Sequence, residues 1–268
     1  MELIIPTLRK YFNYIQNELG YNVVFVGLYG SQNYNLATKD SDIDARAIVV
    51  PTFEDLIINK KYIHQVDFPE GICVVDDIRD FCKNTSKGSP SDLEMFYTKY
   101  FVTNNDWISN FINPDSGEKI INAYRDNFLR ALAGVTNRTI VETKKRTNRN
   151  YIKIDKDGFD GKKFASTIRT AKLFKDIAYY RENKQNPFWV EEKIAVTLRK
   201  IKLNLCFLSA VDNGLSRVKE SIDRMVQDGV IEQAKWSAEG FRKNYDIMQI
   251  AYDIIREYNL EKFKNENT

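Results

Sequence analysis

Histidine is nearly missing from this chain: His64 is the only one in 268 residues. A Ser-His-Asp or Cys-His engine would have to use it, yet it lies in the polar stretch KKYIHQVDF with no nucleophile motif beside it, so that chemistry is not expected. Cysteine is almost as scarce. Cys73, Cys82 and Cys206 are widely spaced, with no Cys-x-x-Cys or His-rich ligand pattern, and a structural zinc site is not expected either. Three unpaired cysteines, and an apolar run in MELIIPTLRKYF too short for secretion, fit a reducing cytoplasm. No stretch approaches the roughly 20 apolar residues that span a bilayer, so no membrane partner is expected. An excess of one charge is lacking too. Forty Lys and Arg stand against 37 Asp and Glu. The net charge of +3 is too small to indicate a polyanionic partner, and the placement of the cations must decide that.

What is present is the composition of a globular protein, 43% hydrophobic and 29% charged, long enough for one large domain or two small ones. The informative stretch is residues 23–51, VVFVGLYGSQNYNLATKDSDIDARAIVVP. Val23, Val24, Phe25 and Val26 form an apolar, β-branched run that reads as a buried strand. Gly30 and Ser31 break it. After a polar turn, Asp42-Ile43-Asp44 leads into a second strand over residues 45–50. Residues two apart on a strand share a face, so Asp42, Asp44 and Arg46 point one way while Ile43, Ala45 and Ala47 pack the other way. Paired carboxylates at a strand start repel one another and lose solvation, which a divalent cation relieves. Oxygen donors without His or Cys favour Mg²⁺ or Mn²⁺ over zinc. Gly30 and Ser31 allow close backbone approach and offer N–H groups and a hydroxyl to a phosphate. A phosphate cradle beside paired carboxylates describes phosphoryl or nucleotidyl transfer.

These residues resemble the active-site segment of the polymerase-β-like nucleotidyltransferases, whose signature is a Gly-Ser followed by an Asp-x-Asp strand. The stretch is most similar to the bacterial and phage branch of predicted nucleotidyltransferases, some of them linked to RNA repair. The matching positions are Gly30, Ser31, Tyr34, Leu36-Ala37-Thr38, Asp40-Ser41-Asp42, Asp44 and Arg46. The resemblance implies a third carboxylate from a following strand. EGICVVD (residues 70–76) reads as that strand, with Asp77 capping the next helix. Asp76 is the first candidate, Asp77 the second and Glu70 the third; the family carries its acid nearer Ile72, where this chain is apolar. Farther on, Gly88-Ser89-Pro90 and then Leu93-Glu94 resemble the family's turn and Leu-Glu pair. Glu94 supports the site or, the reading favoured by its helical position, is a solvated acid.

From Asn113-Pro114-Asp115-Ser116-Gly117 onward the pattern is helical, over residues 120–148, 162–183, 190–212, 216–227 and 236–263. The expected fold is α+β: a small mixed sheet with flanking helices (residues 1–115) followed by an all-helical substrate- and nucleotide-binding domain (116–268), with the cleft between them. Residues 6–19 read as an amphipathic helix packed on the sheet. Tyr245, Met248, Tyr252 and Ile255 recur at helical spacing and read as core, as do the aromatics of KQNPFW (residues 184–189); only residues 264–268 read as disordered. The second half holds a cationic run, with Arg138, Lys144, Lys145, Arg146, Arg149, Lys153, Lys156, Lys162 and Lys163, and with Tyr151 and Phe159 among them. GFDGKKFASTIRTAKLF resembles the family's second motif at Phe159, Asp160, Lys162 and Arg169, with Ser166 where the family often has histidine. Lys162, Ser166 and Arg169 share one helical side, a stripe suited to a triphosphate or to plain solvent.

The resemblance thus implies a metal-dependent enzyme that moves an NMP from an NTP, ATP or CTP, to an acceptor hydroxyl and releases pyrophosphate. Its catalytic and metal-binding residues would be Asp42, Asp44 and Asp76, with Gly30, Ser31, Arg46, Lys162 and Arg169 on the nucleotide. The first acceptor candidate is an RNA 3′ end held by residues 138–163. A protein or small-molecule acceptor, or a non-catalytic nucleotide or RNA sensor, is the alternative. Oligomeric state is left open.

Overall fold

The computed structural model describes residues 3–179 and 186–266. The fold is α+β. Helix α1 (Ile4–Asn17) buries Ile4, Leu8, Tyr11, Phe12 and Ile15, the three- and four-residue spacing of one helical face. It covers one side of a mixed five-stranded sheet of order β3-β4-β2-β1-β5. The strands are β1 (Val23–Leu28), β2 (Ala45–Val49), β3 (Gln65–Phe68), β4 (Gly71–Asp77) and β5 (Phe101–Thr103). β2 is antiparallel to β1 and parallel to β4, while β3 and β5 close the edges in antiparallel pairing.

β1 and β2 are buried along their whole length, because both faces of the sheet are covered. Ala45, Ala47 and Val49 join Val23, Val26 and Leu28 under α1, while Val24, Phe25 and Ile48 join the opposite core. Val24 and Phe25 fall on the same side because the β1–β2 register slips between Val23 and Phe25, a bulge that resets the alternation.

The remaining helices are α2 (Phe53–Ile57), α3 (Ile78–Ser86), α4 (Pro90–Leu93), α5 (Asp106–Phe111), α6 (Pro114–Lys144), α7 (Tyr151–Asp157), α8 (Gly161–Ala178), α9 (Glu192–Lys202), α10 (Leu208–Gln227), α11 (Val230–Arg242) and α12 (Ile247–Glu266); α3 packs on β2 and β4, while α8, α10 and α11 pack against α6. One buried cluster runs from Val24 and Phe25 through Phe128 and Phe174 to Ile255, so the core continues across residue 115. The C-terminal helix ties back to the sheet half. Asn259 Oδ1 accepts from Phe53 N–H at 2.9 Å, and its amide donates to the Pro51 carbonyl at 3.1 Å.

Several boundaries differ from the sequence reading. The edge strands β3 and β5 lie where the sequence showed a polar connector and the end of a helix. Each is short and made a strand by its neighbour's backbone, not by its own side-chain pattern. Residues 190–212 are not one helix. α9 and α10 are separated by Asn204 in the left-handed region (φ 59°), where its side chain bonds to Asp157, the Phe159 carbonyl and the Gly161 N–H. Residues 236–263 are likewise two helices, α11 and α12, and α7 was not anticipated. The expected helix to residue 183 is followed to Ala178, and residues 180–185, including part of KQNPFW, lie outside the described residues. Of its aromatics, Phe188 is buried, whereas Trp189 is 37% exposed beneath Lys99, whose Nζ is 4.2 Å from the ring centre. Tyr252 is exposed rather than core, and α12 extends through Glu266, into residues read as disordered. Among the described residues no helix is long and apolar enough to cross a membrane.

Candidate functional site

β1 ends at Leu28 and the chain turns through Gly30 (φ 81°), a left-handed residue that favours glycine. Gly30–Gln32 then forms a short 3-10 turn. Asp42 and Asp44 precede β2, Asp42 exposed and Asp44 half-buried. Asp44 is held by its neighbours: its carbonyl accepts from Tyr29 N–H at 2.9 Å and its Oδ1 from Ile72 N–H at 3.2 Å. The remaining oxygen, Oδ2, faces Gly30, where an added Cβ would stand 3.6 Å away. The glycine therefore keeps the space beside that oxygen open, and the Gly-Ser turn and the second Asp form one corner of the sheet.

The corner rests on a buried acid. Glu94, in the 3-10 turn Glu94–Tyr97, is fully buried. Its Oε1 accepts from Gly30 N–H (2.9 Å) and Asn33 Nδ2 (3.0 Å), and its Oε2 from the Tyr34 hydroxyl. Burial pushes the Glu94 carboxyl up to about 7, with the Tyr34 and Asn33 hydrogen bonds working against that rise. Arg169, expected on the nucleotide, lies over the Tyr34 ring, 4.0 Å from its centre, and so contacts the loop that Glu94 holds. The expected solvated acid is instead the residue that orders the Gly-Ser turn. Its flanks carried the signal: Leu93, Met95, Phe96 and Tyr97 are all buried, and an acid inside such a run must be hydrogen-bonded. One consequence corrects the phosphate cradle. The Gly30 N–H is already donated to Glu94, leaving Ser31, whose hydroxyl makes no hydrogen bond among the described residues, as the turn's free contributor.

Across the cleft stands a residue the sequence did not single out. Lys202, in the last turn of α9, reaches the Asp42–Asp44 loop, its Nζ lying 3.2 Å from Ser41 Oγ and 3.3 Å from the Leu36 carbonyl. Partial burial holds its ammonium below the usual lysine range, and the nearby charge of Lys162 adds to that, while Asp42 and Asp44 oppose it. Lys162 is thus at the same cleft, exposed on the first turn of α8, which Asp160 caps by accepting from Lys162 N–H (3.0 Å) and Lys163 N–H (3.3 Å). Lys202 and Ser41 are 161 residues apart, which is why no local pattern pointed to the pair.

Four expected site residues have other partners. Arg46 and Asp76 are buried and paired with each other: Arg46 Nη1 is 3.0 Å from Asp76 Oδ2 and also bonds to Asp92. Asp76 is level with Ile48, and Cys73 with Ala45, which puts Ile72 beside Asp44. Four residues at ~3.3 Å each place Asp76 roughly 13 Å farther along the sheet. The face was read correctly and the level was not. Burial raises the carboxyls of Asp76 and Asp92, the latter to about 6. Asp77 caps α3, accepting from Arg79 N–H at 2.8 Å and gripping the Arg79 guanidinium. Glu70 sits at the Asp42 end of β4, where its carbonyl accepts from Ile43 N–H, but its carboxylate is bound by Lys10 at 2.7 Å. Among the described residues no group of three or more His, Cys, Asp or Glu could hold a metal ion. Asp44 Oδ2 faces the space at Gly30, and Asp42 stands two residues before it on the same approach to β2; carboxylate oxygens of this kind suit a hard divalent cation.

The cationic run is partly neutralised within the chain. Arg146 pairs with Asp155 (2.8 Å), Lys163 with Glu142 (2.6 Å), Lys144 with Asp212, and Arg138 more loosely with Glu142 (3.8 Å). Lys145, Arg149, Lys153, Lys156 and Lys162 are exposed with no ion pair among the described residues. No protein-family model matches this chain, and no curated protein matches it.

Proposed function

We propose that this protein transfers a nucleoside monophosphate from an NTP, ATP or CTP, to an acceptor hydroxyl. The observation that supports the reading best is the corner where Ser31, the open side of Gly30, Asp42 and Asp44 meet Lys202 and Lys162. Ser31 offers its hydroxyl to a phosphate, and Lys162 and Lys202 offset the triphosphate charge that two carboxylates would repel. Asp42 and Asp44 would hold Mg²⁺ or Mn²⁺; when bound, the metal neutralises phosphate oxygens and acidifies an attacking hydroxyl. Glu94 keeps the turn in register. The five unpaired cations of residues 145–162 suit the backbone of an RNA 3′ end, our first choice of acceptor, over a protein or a small molecule.

Incubating the protein with each α-labelled NTP, Mg²⁺ and total RNA or protein would show where the label goes. Asp42→Asn with Asp44→Asn is expected to remove transfer while leaving the melting temperature unchanged or slightly raised, since neither acid packs a core. Transfer that survives the double substitution refutes the assignment. The two-acid site also supports a second reading, a sensor that binds nucleotide without turnover. Mg²⁺-dependent nucleotide binding with no label transferred to any acceptor would select it.

A further inference from the structure

A basic apolar knob and an acidic aromatic groove occupy opposite ends of helix α6. The knob is the connection between α9 and α10. Phe207 is 82% exposed, Leu205 67% and Leu203 56%, and Leu208 follows beside Gly158. Surface aliphatics are ordinary singly, but a cluster with an aromatic at its tip marks a contact surface. Exposed lysines lie on the flanking helices, Lys153 and Lys156 on α7 and Lys200 on α9, none in an ion pair among the described residues. Asn204 and the Asp160 N–H bond to Thr143 O (2.8 Å) lock the knob to the C-terminal end of α6.

The groove lies at the other end of α6. A cavity of about 490 Å³ is lined by Trp107 and Phe111 of α5, by Tyr245, and by Asp253, Glu257 and Glu261 of α12, with Lys119 on its α6 wall. Its size is that of ordinary ligand pockets. The three acids stand four residues apart, on one helical face. Arg256 pairs with Asp253 and Glu257, at 3.4 and 3.1 Å, so Glu261 is the groove acid with no ion pair among the described residues. Trp107 Nε1 is buried without an acceptor among the described residues.

From these features we infer that the knob of one molecule docks in the groove of a second copy, head to tail. Charge and shape are complementary: lysines around an apolar tip meet acids around an aromatic hollow. The molecule cannot satisfy itself: α6 is kinked at Tyr124, and the run from that kink to Lys144 alone is 20 residues, roughly 30 Å at ~1.5 Å per residue. Unlike surfaces on each copy make the contact heterologous, so it grows into a ring or a chain. The inference does not rest on the proposed chemistry, although Lys153 and Lys156 belong to both surfaces. Lys153 acts on Lys202, so the contact also borders the cleft.

Sedimentation velocity and light scattering on the full chain test it through complementation. Wild type is expected to gain mass with concentration. Leu205→Ser with Phe207→Ser removes the knob, and Glu257→Lys with Glu261→Lys reverses the groove; all four residues are exposed, so circular dichroism should show an intact fold. Each variant alone is expected to be monomeric, and their equimolar mixture to form a dimer that grows no further, because one good knob and one good groove remain. A monomeric wild type, a variant that still associates, or a mixture that stays monomeric overturns the proposal. A variant that still associates would mean that like surfaces pair, and a monomeric mixture that knob and groove do not complement one another.

Discussion

Replacing Glu94 with Gln tests how the Gly-Ser turn is held. The carboxyl is fully buried, accepts three donors, and is raised by burial from 4.5 to about 7. The folded protein holds this proton more tightly than the unfolded chain, so the stabilisation is complete below 4.5 and is lost as pH rises to about 7. Between pH 5 and pH 8 the loss comes to about 2–3 kcal/mol of unfolding free energy. Gln cannot ionise, so Glu94→Gln should lack this part of the pH dependence, while the window belonging to Asp92 remains in both proteins. The variant also turns an amide N–H₂ towards donors, a cost of about 1–3 kcal/mol that does not vary with pH. The assay is urea unfolding of both proteins at pH 5 and pH 8. The variant should be less stable at pH 5 and gain about 2–3 kcal/mol on wild type by pH 8. A stability difference independent of pH refutes the reasoning. Nucleotide affinity should fall as well, because Gly30 and Tyr34 lose their anchor.

Arg46→Met should destabilise the protein by about 3–5 kcal/mol, since it leaves the Asp76 and Asp92 carboxyls buried without their cation. Urea unfolding measures it, and unchanged stability with lost nucleotide binding would return Arg46 to the nucleotide. Lys202→Met should weaken binding of a fluorescent NTP about tenfold, near 1.4 kcal/mol, with a shallower dependence on salt. An unchanged dissociation constant would remove Lys202 from the site.

The sequence by itself determined what short-range physics controls. Val23 to Val26 could only be a buried strand, and the period of two put Asp44 and Arg46 on one face with Ala45 and Ala47 on the other, as found. Asp77 as a helix cap followed from an acid at a strand-to-helix junction, and the α+β order followed from the change of period near residue 115. Levels and partners did not. Period two gives a face and says nothing about how far along the sheet a residue lies, so Asp76 shared a face with the site but was carried to Arg46 by the β2–β4 register. Glu94 resembles any helix acid until residues 60 and more positions away close over it. Lys202 is one of 40 cations until α9 lies against the Asp42–Asp44 loop. Only tertiary packing decided these three, because burial and charge pairing depend on distance in space and are indifferent to separation along the chain.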